Sequence, residues 1–185
     1  FFYLLVFLPS VLIAADLVRD GKPVSEIIVP ERALPQVRFA AKELQTHLEK
    51  ISGAVVPIVA APSGGEVFPV YVGEQPGTQA LGVSLEKVPM EGYRVVANDK
   101  ALVLAGRDAV IAPVPAGFKS MDDLPRLNEE WKKVTGRQWE LASNGFNGLY
   151  SPDRGWSEGM EFSVYDPTGT LFAVYDLLEQ LGVRW

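Results

Sequence analysis

The side chains able to do chemistry in this chain are few, and most are carboxylates. The sequence holds 23 Asp and Glu residues, one His and no Cys among 185 residues. Absence of cysteine removes disulfides, thiolate nucleophiles, Cys-ligated zinc and iron–sulfur clusters together. The single imidazole, His47, excludes multi-His metal sites and makes any Ser-His-Asp triad depend on that one residue. No P-loop, Gly-x-Gly-x-x-Gly or His-Glu-x-x-His pattern occurs. No cofactor and no metal are expected. The net charge of −6 argues against a chain built mainly to hold nucleic acid, which favours a basic surface.

Paired carboxylates are the chemistry of glycoside hydrolysis. Asp153, Glu158 and Glu161 form the only cluster in a loop-like context. Asp122/Asp123 and Glu129/Glu130 lie on or near a helix and read as a cap and a solvated face. Arg107-Asp108 follows a strand and reads as an ion pair at its end. His47, four residues after Glu43, reads as a boundary residue bonded to Glu43 or water. Trp131, Trp139, Tyr150 and Trp156 suit either of two roles. Trp139, Tyr150 and Trp156 can stack on sugar rings, or the aromatics can form a small core, and Trp131 already sits at helical core spacing.

Several elements must position these residues. Two strands, Asp16–Lys22 and Ser25–Val29, are expected around the turn Asp20-Gly21-Lys22-Pro23. Leu34, Val37, Ala41, Leu44, Leu48 and Ile51 form one stripe at helical spacing, closed by Gly53. Strands follow at Val55–Ala60 and Phe68–Gly73, with a short helical turn at Thr78–Leu81. A hairpin is expected from Gly92–Ala97 to Ala101–Ala105. Asp123–Val134 reads as a helix with Pro125 in its first turn. The Gly- and aromatic-rich stretch within residues 109–165 reads as an insertion. The last helix has Asp166 as cap and Pro167 in first position. Its main stripe is Leu171, Val174, Tyr175, Leu178 and Leu181. Phe172, Ala173 and Leu177 widen that stripe beyond what one sheet covers. An exposed docking patch is therefore expected around Phe172, Leu177, Val183 and Trp185.

Residues 1–15, FFYLLVFLPSVLIAA, carry no charge and end in small residues. The run is shorter than the ~20 residues a bilayer-spanning helix requires. It reads as a secretory signal peptide, so the mature chain starts near Asp16 and is secreted or periplasmic, with no stable membrane span after cleavage.

Some segments also match a known pattern in order. They are Ile27-Ile28-Val29-Pro30, Ala40-Ala41-Lys42-Glu43-Leu44-Gln45 through Leu48-Glu49-Lys50-Ile51-Ser52-Gly53, and Val56-Pro57-Ile58-Val59. Then come Val70-Tyr71-Val72-Gly73-Glu74, Glu91-Gly92-Tyr93, Leu104-Ala105-Gly106-Arg107-Asp108 and Gly169-Thr170-Leu171-Phe172 onward to Trp185. This series resembles the N-terminal domain that precedes the catalytic barrel in α-glucuronidases and β-hexosaminidases. It is most similar to large exported bacterial proteins of unknown function with the same front domain. The resemblance implies an α+β sandwich spanning 16–185, a mixed sheet with two long helices on one face. It implies a (β/α) barrel after Trp185 as partner, which would carry the catalytic groups and leave none in this chain. The function implied is that of a non-catalytic accessory domain in polysaccharide degradation. The stretch between Arg107-Asp108 and Gly169-Thr170 departs from the simpler relatives. Two other functions remain open, a free-standing carbohydrate-binding module and a hydrolase using Asp153, Glu158 or Glu161. Export has a direct check: N-terminal sequencing of the mature protein is expected to start near Asp16, and recovery of Phe1 would refute cleavage.

Overall fold

The structure is a computed structural model that describes residues 16–110, 125, 126, 129, 132, 133, 162 and 166–185. A small hairpin opens the described chain, β1 (Val18–Arg19) antiparallel to β2 (Lys22–Pro23). Asp20 and Gly21 turn it with φ of 51° and 71°, the backbone that tight two-residue hairpins need. The strand expected over 16–22 is thus folded back on itself. β3 (Ser25–Ile28) belongs to a different sheet.

β3 leads into α1 (Pro35–Ser52), whose first position is filled by a proline with no N–H to leave unpaired. Gly53 ends α1 at φ 74°, and its N–H bonds the Glu49 carbonyl. Leu34 and Ile51, expected on the core stripe, are exposed because they flank the helix end or its outer side. The strand expected over 55–60 shortens to β4 (Ile58–Val59), parallel to β3. β5 (Phe68–Val72) is parallel to β3 on its other side. α2 (Pro76–Ala80) and an irregular segment then lead to β6 (Tyr93–Ala97) and β7 (Leu102–Gly106). Asn98 Oδ1 makes their turn by accepting the N–H groups of Lys100 and Ala101. α3 (Gly169–Gln180) completes the fold.

The main sheet has order β4-β3-β5-β7-β6, with only β6 antiparallel to its neighbour. Strand alternation divides its side chains. Ile27, Val70, Val72, Leu102 and Leu104 meet Leu44 and Leu48 of α1 and Val174 and Leu178 of α3. On the opposite face Val103 and Ala105 meet Val83, Leu85 and Val88 from the segment between α2 and β6. A sheet made mostly of parallel strands is covered on both faces, and all of β7 is buried. The fold is an α+β sandwich with both long helices on one face.

Helical backbone at Pro125, Arg126, Glu129, Lys132 and Lys133 agrees with the helix expected there. Phe162 contributes to the main core, 4 % exposed, with its ring edge-on to Phe39 at 5.5 Å. The stretch 109–165 is therefore not wholly external to the core.

α3 begins later than expected, at Gly169 with Thr168 as N-cap, because its first turn sits against the end of β7. A Cβ on Gly106 would lie 2.0 Å from the Gly169 carbonyl carbon, and one on Gly169 would lie 2.6 Å from the Gly92 oxygen. Backbone faces backbone there, and neither side can yield. Gly106→Ala is therefore expected to cost about 3 kcal/mol or more, read from urea denaturation. A loss below about 1 kcal/mol would show that the contact is looser than described.

Candidate functional site

β3, β5 and β7 are parallel, so their carboxyl ends share one edge of the sheet. From β3 the chain crosses through α1 to β4 on one side, whereas β5 lies on the other. Open α/β sheets place their binding crevices where connections diverge in this way. A crevice of about 400 Å³ lies there. Its walls are Pro30, Arg32, Ala33 and Leu34 after β3, Val37 of α1, Glu74, Gln75 and Pro76 after β5, and Gly106, Arg107 and Asp108 at the end of β7.

The buried polar groups around it are mostly committed to holding the fold. Gln75 Nε2 donates to the carbonyls of Ile28 at 3.1 Å and Val72 at 3.3 Å, tying the ends of β3 and β5. Asp108 Oδ1 accepts the Thr170 N–H at 2.9 Å, and its Oδ2 accepts the Thr170 hydroxyl. That hydroxyl oxygen accepts the Gly106 N–H at 3.0 Å. Asp108 thus supplies the N-terminal cap of α3, the role expected of Asp166. A carboxylate suits the positive end of a helix. Burial nevertheless pushes the Asp108 carboxyl above its ordinary value, against the two Thr170 bonds, which lower it. Arg107 does not pair with Asp108, contrary to the sequence reading. Its guanidinium donates to the Val88 carbonyl at 3.3 Å.

Gln36 is fully buried beside this edge. Its Nε2 donates to the carbonyls of Ala109 at 2.8 Å and Pro167 at 3.4 Å, and its Oε1 has no partner. The two roots of the stretch 109–165 therefore meet on one amide. Neither this role nor that of Asp108 is visible in local sequence, because the partners lie far along the chain.

A second feature is an apolar ridge on the outer side of α3. Phe172 is 43 % exposed and Trp185 69 %. Tyr175, one turn beyond Phe172, lies 4.7 Å from the Trp185 ring, and Trp185 lies 5.1 Å from His47. The Tyr175 hydroxyl donates to Glu43 Oε2 at 3.2 Å, and burial with the Glu43 charge pushes its phenol well above the usual range. Tyr175 is thus half-buried between the helices instead of facing the sheet. Leu177 and Val183 are half-buried and pack on the main core. His47 Nδ1 bonds the Glu43 carbonyl at 3.0 Å, as a boundary residue would.

Trp131, Trp139, Tyr150, Trp156, Asp122, Asp123, Glu130, Asp153, Glu158 and Glu161 lie outside the described residues. So does Gly155-Trp156-Ser157-Glu158-Gly159, which fits the Gly-x-Ser-x-Gly pattern of a nucleophile elbow. A triad on Ser157 would need His47, whose described contacts are Glu43 and Trp185. Among the described residues, no group of three or more His, Asp or Glu can hold a metal, and no helix is long and apolar enough to cross a membrane. No protein-family model matches the chain, and no curated protein matches it either.

The Asp108 cap gives a pH signature. A carboxyl whose folded value is raised favours the fold when protonated, and that contribution is lost as pH rises from about pH 4 through the raised value. Asp108→Asn keeps an oxygen acceptor for the Thr170 N–H but does not titrate. The stability of the native protein minus that of Asp108→Asn is expected to fall with rising pH across this window, measured by urea unfolding. A difference independent of pH would contradict it. Asp108→Ala removes the cap and is expected to cost about 0.5–2 kcal/mol.

Proposed function

We propose that residues 16–185 form a non-catalytic accessory domain of an exported glycoside hydrolase-like protein acting on polysaccharide. The domain packs on a catalytic barrel that follows Trp185 and stabilises it. The observation that carries this reading is the exposed apolar surface of Phe172 on the outer side of α3 and of Trp185, which packs on Tyr175. A neighbouring domain that covers Phe172 and Trp185 gains roughly 1.5–3 kcal/mol for each large apolar side chain it buries. The order of segments shared with pre-barrel domains supports the same reading, and the apolar run of residues 1–15 supports export.

The described carboxylates near the sheet support a non-catalytic role, because they serve the fold. Asp108 caps α3. Glu26, 2 % exposed, accepts the Ser63 N–H at 2.7 Å and the Ser63 hydroxyl at 2.6 Å, fixing the loop before β5.

The coding sequence beyond Trp185 provides the first test. A continuous frame of several hundred residues with alternating strand and helix patterns is expected, and a stop codon there would sink the proposal. Phe172→Asp provides the second. It is expected to leave the stability of residues 16–185 within about 0.5 kcal/mol, because Phe172 faces away from the core. In the longer protein the same change is expected to lower the unfolding midpoint and expose the junction to limited proteolysis. An unaffected longer protein would overturn the docking role.

A further inference from the structure

We infer that the crevice at the carboxyl ends of β3, β5 and β7 binds a small organic oxyanion, a carboxylate or phosphate, between Arg32 and Arg107. These two arginines come from opposite sides of it, one after β3 and one after β7, with β5 between them. β3 and β7 lie two strand spacings apart, roughly 10 Å, and both arginines are walls of the crevice above β5. Their charges are not neutralised from within. Arg32 is exposed and makes no hydrogen bond or ion pair among the described residues. Arg107 spends one N–H on the Val88 carbonyl and forms no ion pair among the described residues. A guanidinium has five N–H donors in a planar fork, the geometry that carboxylate and phosphate accept.

The nearby acids do not take that role. Both oxygens of Asp108 are held by Thr170, and Glu74 pairs with neither arginine. The start of α1 borders the same space, and its N-cap, Leu34, offers no side-chain oxygen to the helix. The positive end of that helix therefore adds to the field of the arginines. Pro30, Leu34 and Val37 give the crevice an apolar wall for a short carbon skeleton. Its volume of about 400 Å³ is within the range of small-molecule sites.

This site is separate from the docking ridge. None of Phe172, Tyr175 and Trp185 is a wall of the crevice, and Trp185 packs on Tyr175 and His47 instead. Anion binding and domain docking can therefore fail independently.

The test is an NMR titration of the ¹⁵N-labelled protein with sodium phosphate and, separately, sodium malonate, at ionic strength held constant with sodium chloride. Saturable shifts are expected in the backbone amides of residues 31–37, 74–77 and 106–108 with at least one anion, and the tighter anion names the ligand class. Arg32→Gln is expected to weaken that anion by about fivefold or more at unchanged thermal midpoint, with Arg32→Lys retaining part of the affinity. Arg107→Gln is expected to weaken it as well. Absence of saturable shifts with both anions overturns the proposal. So does affinity unchanged by Arg32→Gln.

Discussion

The first turn of α3 rests directly on the last residue of β7, backbone against backbone, because neither Gly106 nor Gly169 carries a Cβ. Much of the fold depends on that approach. It brings the Thr170 hydroxyl within reach of the Gly106 N–H and the Thr170 N–H within reach of Asp108. It sets the line along which α3 lies over β7 and beside α1, so that Val174 and Leu178 join Leu44 in one core. A side chain at either glycine would lift the helix off the sheet. Two flexible residues here produce one of the most constrained contacts in the molecule, held from the side by the half-buried carboxyl group of Asp108.

Elements whose cause is local were legible in the sequence. The α1 stripe, the glycine that ends it and the β6–β7 hairpin follow from spacing and turn chemistry over a few residues. The two-helix face was an implication of the resemblance to pre-barrel domains, since each amphipathic segment by itself asks only for a sheet to cover it. What escaped was set by distant partners. Asp166 looked like a cap because it precedes the helix, but Asp108 reaches the Thr170 N–H across the fold. Tyr175 fits the apolar stripe by its spacing, but its hydroxyl needs an acceptor and finds Glu43 on α1. Arg107 and Asp108 are neighbours in sequence, and the extended backbone at a strand end sends them to Val88 and Thr170 instead. Of the candidate site, Phe172 was readable from the helical wheel, whereas Leu177 and Val183, expected in the same exposed patch, pack on the core. The crevice was not readable, since its walls come from three strand ends.

The crevice and the surface around Trp185 differ in chemistry. At the carboxyl ends of β3, β5 and β7, the guanidinium groups of Arg32 and Arg107 share the crevice walls with the carboxyl groups of Glu74 and Asp108. Outside the crevice, Tyr175, His47 and Trp185 present aromatic surface with one carboxylate, Glu43, satisfied by the Tyr175 phenol.

The amide of Gln36 grips both Ala109 and Pro167, and the Ala109 N–H reaches the Pro167 carbonyl at 3.4 Å. Chain departing from β7 and chain arriving at α3 are thus clasped at one point, whatever lies between them. For a flexible loop, doubling its length adds only about 0.6 kcal/mol in closure entropy once its ends are fixed. The clasp makes this junction a natural graft point, where descendants of the chain can lengthen, shorten or exchange sequence ahead of Phe162, whose ring belongs to the core, while the sheet and its helices keep their register.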